Sequence, residues 1–338
     1  KIVEDYKNPN NTNLKIDDYK KLQKFKIVNA YYDKSSSGIG DFLRGTCYLH
    51  KILSENQVPF EINFTKHAIG SFIQSKSSCK IKDIFDTERH NKGSAEFYFS
   101  NMLENLSNIL NHLPKLNRWS IKKPSITLFS NYSNFVFLSE QDKLNFEVSE
   151  ETKQFVKSNI VFKNKVERHY NDLVESGLKN YVVAHFRLGD LSILKDNNIP
   201  TQNLSDNINT KEFKVDYDQC LDQVVKIIID SKKTVVLLSD CNSLKQYIEN
   251  NIPKRYAKKL KLIHLDSFHT SSNPGFLENI VPNDKFKKDK MFYVALDLKI
   301  CTQAKHIYTH SVYPWGSGFT FWISKVYDIP LTCEKINE

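Results

Sequence analysis

Residues 181–191, YVVAHFRLGDL, run apolar for four positions and then place His185, Arg187 and Asp190 within six residues, around Gly189. A short continuous apolar run closed by a glycine turn is the pattern of a strand buried on both faces, as in a parallel sheet. The charged groups therefore stand at the strand's C-terminal end. A guanidinium fixed there can meet a pyrophosphate oxygen through two parallel hydrogen bonds. If a nucleotide departs during a reaction, charge builds on its terminal phosphate and a pre-positioned arginine offsets it. Losing one such donor typically costs about 10²- to 10³-fold. The alternative is an Arg187 salt-bridged to Asp190 within the turn, and His185 reads as a structural residue beside the motif.

Outward from this stretch the C-terminal half alternates regularly. Strands are expected at 181–186, 234–239, 261–265 and 306–310, and helices at 216–230, 242–250, 290–302 and 318–327. That order implies a parallel sheet wound with helices. Upstream, FKIVNAYY (25–32) reads as a first strand, followed by a Ser/Gly loop and a helix over 41–55. A strand over 58–64, an amphipathic helix over 95–113, a strand over 124–130 and two helices within 146–178 follow. The chain of 338 residues exceeds one small core and fits two domains of about 150 residues. The expected organisation is an N-terminal extension (1–22), an N-terminal α/β lobe (23–155) and a C-terminal α/β lobe (156–338). Ligands of open α/β sheets bind beyond the C-terminal strand ends, which directs attention to the loops after 32, 186, 239, 265 and 310.

Composition narrows the class. With 40% hydrophobic and 26% charged residues the chain is that of a globular protein, and no run reaches the roughly 20 apolar residues of a membrane helix. It fits either a cytoplasmic protein or the lumenal part of a Golgi or ER enzyme whose anchor has been removed. A formal charge of +9 suits an anionic partner. The basic residues fall in separate clusters, such as KRYAKKLK (254–261) and KFKKDK (285–290), without a nucleic-acid motif, so no nucleic-acid partner is expected. The six cysteines Cys47, Cys79, Cys220, Cys241, Cys301 and Cys333 lie too far apart for zinc pairs and read as free thiols. Sequons at Asn10, Asn63, Asn105, Asn131 and Asn203 are expected by chance in a chain so rich in Asn and do not establish secretion.

Four further stretches carry candidate chemistry. In SSSGIGDFLRG (35–45), Gly38 and Gly40 let backbone amides approach an anion at a helix N-terminus, or form a tight turn with Asp41 as the cap. TVVLLSDC (234–241) delivers Ser239 and Asp240 to the same sheet edge, where an acid can accept from ribose hydroxyls or a guanine edge, or cap the next helix. THSVYPWGSGFTFW (309–322) opens a helix at Ser317, Gly318 and Thr320, as an anion cradle or a capped turn. The loop DSFHTSSNPG (266–275) could bring His269 to a substrate or be a surface loop. Asp216-Tyr217-Asp218 is the single DxD triplet, but it stands at a helix start where acids cap, so no metal is expected. There is no GxSxG or HExxH.

Taken in order, GIGD, HFRLGD, LLSD and ALDLKICTQAKHIYTHSVYPWGSGFTFW resemble the GDP-fucose-dependent fucosyltransferase superfamily of α1,2-, α1,6- and protein O-fucosyltransferases. HFRLGD is similar to the HxRxxD motif of the α1,2 and α1,6 enzymes. The resemblance implies two Rossmann-like lobes in a GT-B arrangement. It also implies inverting, metal-independent transfer of L-fucose from a GDP-fucose donor to a sugar hydroxyl of a glycan acceptor. On it, Arg187 would bind the β-phosphate, Ser317, Gly318 and Phe319 would cradle the phosphates, and Asp240 would lie against the nucleoside. Asp297 matches the acid of the final motif, His185 and Asp190 belong to the donor-binding motif, and Gly38, Gly40 and Asp41 would face sugar and acceptor. Two positions depart from the pattern. Leu188 stands where many relatives carry a second arginine, and Asp41 stands where the α1,2 enzymes show Asn, which makes it a candidate general base as well as a cap. The readings left open are the same fold with another nucleotide sugar, such as UDP-xylose, and a catalytically silent carbohydrate- or nucleotide-binding module.

Overall fold

The computed structural model describes residues 20–31, 38–76, 94–97, 125–128, 147–189, 192, 213–266, 284–314 and 316–336. The chain divides into two compact units, Lys1–Gly70 with Gln74–Val161, and Ser71–Ile73 with Phe162–Glu338. The sequence reading had set this boundary between 155 and 156.

The first unit carries a parallel sheet of β1 (Lys26–Ala30), β2 (Phe60–Asn63), β3 (Ser94–Phe97) and β4 (Ser125–Leu128) in the order β2-β1-β4-β3. Residues 94–97 thus form a strand where an amphipathic helix from 95 was expected, and 98–113 lie outside the described residues. The alternation of Ala95, Phe97 and Phe99 is the two-residue strand period, and it hides at the head of a helix-like run. Helix α1 (Ile39–Glu55) covers the sheet and buries Phe42, Leu43, Leu49 and Leu53 on one face. Thr46 ties it to β1, donating to the Phe42 carbonyl at 2.7 Å and accepting from Asn29 at 3.0 Å. His50 Nδ1 lies 2.9 Å from the Thr152 hydroxyl on α2 (Glu150–Asn159), which is capped by Ser149.

The second unit is wound around a five-stranded parallel sheet. Its strands are β5 (Val182–Arg187), β6 (Val235–Ser239), β7 (Leu260–Leu262), β8 (Ile307–Ser311) and β9 (Leu331–Lys335), in the order β9-β8-β5-β6-β7. The helices are α3 (Asn164–Glu175), α4 (Tyr217–Ser231), α5 (Asn242–Asn251), the short α6 (Lys254–Ala257), α7 (Asp284–Gln303) and α8 (Gly318–Tyr327). The central strand β5 is buried from Val182 to Phe186, as its apolar run requires. Val224, Val235, Leu244 and Ile248 fill the same core with almost no exposed surface. Each such side chain removed from water stabilises by about 1.5–3 kcal/mol. Tyr181, buried just before β5, donates to the Ile300 carbonyl of α7 at 2.7 Å. Lys299 of α7 pairs with Glu167 of α3 at 2.9 Å. Strand β9, which the sequence reading missed, is the polar and largely exposed edge strand LTCEK. Among the described residues no helix is long and apolar enough to cross a membrane.

Candidate functional site

Register brings the motif of the opening stretch to its partner. Phe186 of β5 stands opposite Ser239 of β6, so Arg187 and Asp240 come next at the ends of adjacent strands. Arg187 Nη1 donates to Asp240 Oδ2. The backbone amides of Leu188 and Gly189 donate to the two oxygens of the same carboxylate at 2.8 and 3.1 Å. The sequence offered Asp190 as the salt-bridge partner of Arg187 and Asp240 as an acceptor for a ribose or guanine edge. In the structure the ion pair is with Asp240, because it lies one strand away at the same level, and Asp190 is outside the described residues. Only 14% and 10% of the two side chains are exposed. A pair so sheltered holds its geometry where a surface pair would not. The Tyr313 ring lies 5.5 Å from the guanidinium carbon. Gly189 turns with φ +103°, and a Cβ there would stand 3.1 Å from the Tyr313 hydroxyl, so both backbone and space ask for glycine.

Strand β8 flanks β5 on its other side, with Ser311 opposite Arg187. The turn after it therefore opens at the same edge, and the Val312 amide donates to the Arg187 carbonyl at 3.1 Å. Ser311 Oγ donates to the Gly316 carbonyl at 3.2 Å and accepts from the Tyr313 amide at 3.1 Å, which shapes this turn. Ser317 is the buried N-cap of α8, and its side chain makes no capping bond. Thr320 anchors the first turn, accepting from Thr309 Oγ1 at 2.7 Å and donating to the Ser317 carbonyl at 3.3 Å. Gly318 is exposed, with nothing within 4 Å of where a Cβ would stand. The helix thus begins with small residues beside Arg187, and its first amides add partial positive charge.

Three further groups converge on this edge. His185 is 8% exposed, its ring lies 5.9 Å from that of Phe319, and its Nδ1 has no hydrogen-bond partner among the described residues. Burial pushes its pKa down to about 4 against the opposing pull of the Asp240 carboxylate, so the imidazole is neutral at pH 7. Asp297 of α7 is near enough to act on that titration too. Its Oδ1 lies 2.8 Å from Nε2 of His264, which follows β7. Nδ1 of the same ring is buried and without a hydrogen-bond partner among the described residues. A buried polar atom left unbonded is uncommon and marks a place where a ligand can supply the partner. His264 was missed in the sequence although it sits at a strand's C-terminal end, because no motif surrounds it.

The remaining expectations are placed as follows. In the first unit, Gly38 precedes α1 and Gly40 is buried in its first turn. Asp41 accepts from the Gly38 amide at 3.2 Å and pairs with Arg44 at 3.0 Å, so its carboxylate closes the helix N-terminus. Asp216 caps α4 by accepting from the amides of Asp218 and Gln219, and Asp218 accepts from the Tyr247 hydroxyl. His269 lies outside the described residues. Cys47, Cys220, Cys241 and Cys301 are buried free thiols and Cys333 an exposed one, while Cys79 is outside the described residues. Burial pushes the thiols of Cys47 and Cys220 up to about 12. Asn63 is buried and accepts from both the amide and the hydroxyl of Thr65, so this sequon is used structurally. The other four sequons lie outside the described residues. A cleft of about 670 Å³ between α3 and α7, lined by Lys165, Arg168, His169, Lys290, Phe292 and Tyr293 among others, contains none of the candidate donor-site residues, though Lys290 belongs to the basic cluster 285–290 and Asp266 opens the loop 266–275.

No family model and no curated protein matches the chain. Among solved structures it is similar to the fucosyltransferase NodZ from Bradyrhizobium, at 11% identity and a TM-score of 0.44 over 88% of this chain and 92% of that one. It is similar to POFUT1 in complex with GDP, at 12% identity and a TM-score of 0.43 over 94% and 99% of the two chains. FUT1 of Arabidopsis thaliana in complex with GDP is similar at 10% identity and a TM-score of 0.45, over 95% of this chain and 74% of that one.

Proposed function

We propose that the protein is a glycosyltransferase that moves L-fucose from GDP-fucose to a sugar hydroxyl of a glycan, with inversion at the anomeric carbon and without a metal ion. The observation that carries this reading is the guanidinium of Arg187, held at a strand's end by Asp240 and set beside the N-terminus of α8. The ordered motifs HFRLGD, LLSD and SGF support it, since each falls at that edge of the second sheet. We read the two units as the lobes of a GT-B enzyme, with the donor on the second unit and the acceptor side on the first.

In this mechanism the acceptor hydroxyl attacks the anomeric carbon from the face opposite the nucleotide. The bond from that carbon to the β-phosphate oxygen breaks, and its electron pair stays on the diphosphate. Arg187 and the amides of Gly318 and Phe319 meet the growing charge with donors already in place, which is where preorganised electrostatics contributes most. We assign Asp297 and the neutral His185 to the donor-binding side with Asp240, whose carboxylate holds Arg187. Asp41 is the candidate base for the acceptor proton; its ties to Gly38 and Arg44 hold it in one orientation.

The test is a pair of measurements. GDP should raise the melting temperature more than UDP does, and GDP-fucose should be consumed in the presence of a glycan acceptor. Arg187→Ala should lower turnover by about 10²- to 10³-fold in a folded protein. Stabilisation by UDP in preference to GDP would assign a different nucleotide sugar, and GDP binding without transfer to a broad acceptor panel would assign a binding module.

A further inference from the structure

The second unit has a basic edge on the side away from the site just described. All its strands are parallel, so every loop leading into a strand lies at one edge of the sheet. Those loops are rich in lysine. Lys305 precedes β8, Lys179 precedes β5, Lys232 and Lys233 precede β6, and Lys258 and Lys259 precede β7. Lys254 and Arg255 of the short α6 extend the series beyond β7.

Contacts between the loops fix them as one row. The Lys305 amide donates to the Tyr181 carbonyl at 2.9 Å, Lys233 Nζ to Asn180 Oδ1 at 2.9 Å, and Lys259 Nζ to the Lys232 carbonyl at 3.3 Å. Since neighbouring strands stand about 4.8 Å apart, the four loops set their lysines along a short, nearly straight line. All of these cations except the half-buried Lys233 are exposed. The acids nearest this edge, Glu175, Asp230, Glu249 and Asp328, are half as many as the cations.

We propose that this edge is a docking surface for an anionic lipid bilayer. The charge is carried almost wholly by lysine, a point charge on a flexible stem, which suits a diffuse anionic plane better than a defined phosphate geometry. Ile229, on the last turn of α4 three residues before Lys232, is 49% exposed, an apolar side chain with a place in the interfacial layer of a bilayer and none on a nucleic-acid backbone. Tyr256, an aromatic residue of this edge, is half-buried and lies 4.7 Å from the Arg255 guanidinium, and the His306 ring before β8 is stacked on Tyr308, so these rings are already engaged within the protein. The charges also complement the C-termini of α4 and α5, but that effect is confined to each helix's last turn. This inference is independent of the donor reading.

Co-sedimentation of the whole chain with phosphatidylcholine vesicles, with and without about a third of phosphatidylserine, tests it. Binding is expected only to the anionic vesicles and at about 0.1 M salt, and is lost at about 1 M, where the Debye length falls from about 10 Å to about 3 Å. Each lysine near an anionic bilayer strengthens attachment about fivefold, so the combined Lys232→Glu, Lys233→Glu, Lys258→Glu and Lys259→Glu variant should bind at least about a hundredfold more weakly. Its melting temperature shows that it is folded, and the milder Lys→Gln set at the same positions replaces it should it fail to fold. Reversal of Lys153 and Lys157 on α2 should leave binding unchanged. The proposal is overturned if the wild-type chain does not distinguish the two vesicles, if the reversed row binds like wild type, or if an oligonucleotide competes the chain off the vesicles at equal charge concentration.

Discussion

Arg187 and Asp240 are 53 residues apart in the chain and meet at the ends of neighbouring parallel strands, where one carboxylate holds a guanidinium and two backbone amides. Asp240 is thus the residue that positions the cation and shapes the turn after it. Removing it by Asp240→Ala takes a carboxylate acceptor from the sheltered guanidinium and from two backbone amides, and should destabilise the second unit by about 3–5 kcal/mol in urea unfolding. Asp240→Asn keeps the shape and should cost less stability, yet weaken GDP binding in calorimetry because the arginine loses its hold. Equal GDP affinity in Asp240→Asn and wild type would argue against this positioning role.

Gly189 and Gly318 make a contrasting pair. Gly189→Ala places a side chain at φ +103° and against the Tyr313 hydroxyl, and should cost about 1–3 kcal/mol together with a loss of turnover. Gly318 opens on empty space, so Gly318→Ala should leave the melting temperature within a degree or two. A stable Gly189→Ala protein with normal turnover would show that the turn adapts.

His185 gives stability a dependence on pH with a definite sign. The unfolded chain takes up a proton at this residue near pH 6.5, whereas the folded chain resists until about 4. Its contribution is complete above pH 6.5 and falls as the pH drops towards 4, by up to about 3 kcal/mol. Burial pushes His310, His50 and His306 in the same direction, so the total slope is steeper. Unfolding midpoints between pH 7 and pH 4 should fall less in His185→Asn than in wild type; parallel curves would remove His185 as a source.

Asp216 separates a capping acid from a metal ligand. Asp216→Ala removes the side-chain acceptor for two amides of α4 and should cost about 1 kcal/mol of stability. Transfer activity should be unchanged by this substitution and by chelator. Activity lost in the variant, and lost to chelator but restored by Mn²⁺, would establish a metal requirement.

Most of the second sheet was legible because YVVA (181–184) and VVLL (235–238) are apolar runs ended by polar turns, a trace that a buried strand leaves in any chain, and because IYTHS (307–311) falls between a helix and a Gly/Ser turn in the same alternation. The polar edge strand β9 leaves no such trace, since three of its five residues are exposed to water. The helix expected from 95 shows the opposite failure, where residues of both periods overlap and strand pairing with β4 decides. Within the site, Arg187 could be found because a charge ends an apolar strand. Its pairing with Asp240 could not, because the sequence pointed to Asp190, three residues away, and strand order alone shows that Asp240, 53 residues on, stands level with Arg187. His264 had no motif around it, and its contact with Asp297 depends on how α7 packs near the end of β7.

The central strand of the second sheet is flanked by one strand made about 50 residues later and another made about 120 residues later, with the edge strand later still. On the ribosome, YVVAHFR must therefore wait, exposed and apolar, until translation has passed residue 311. During that interval its nearest available cover is the helix and strand that follow it, so the β5–β6 side of the sheet can assemble first, and the turn at Ser317 and the edge strand β9 join it later.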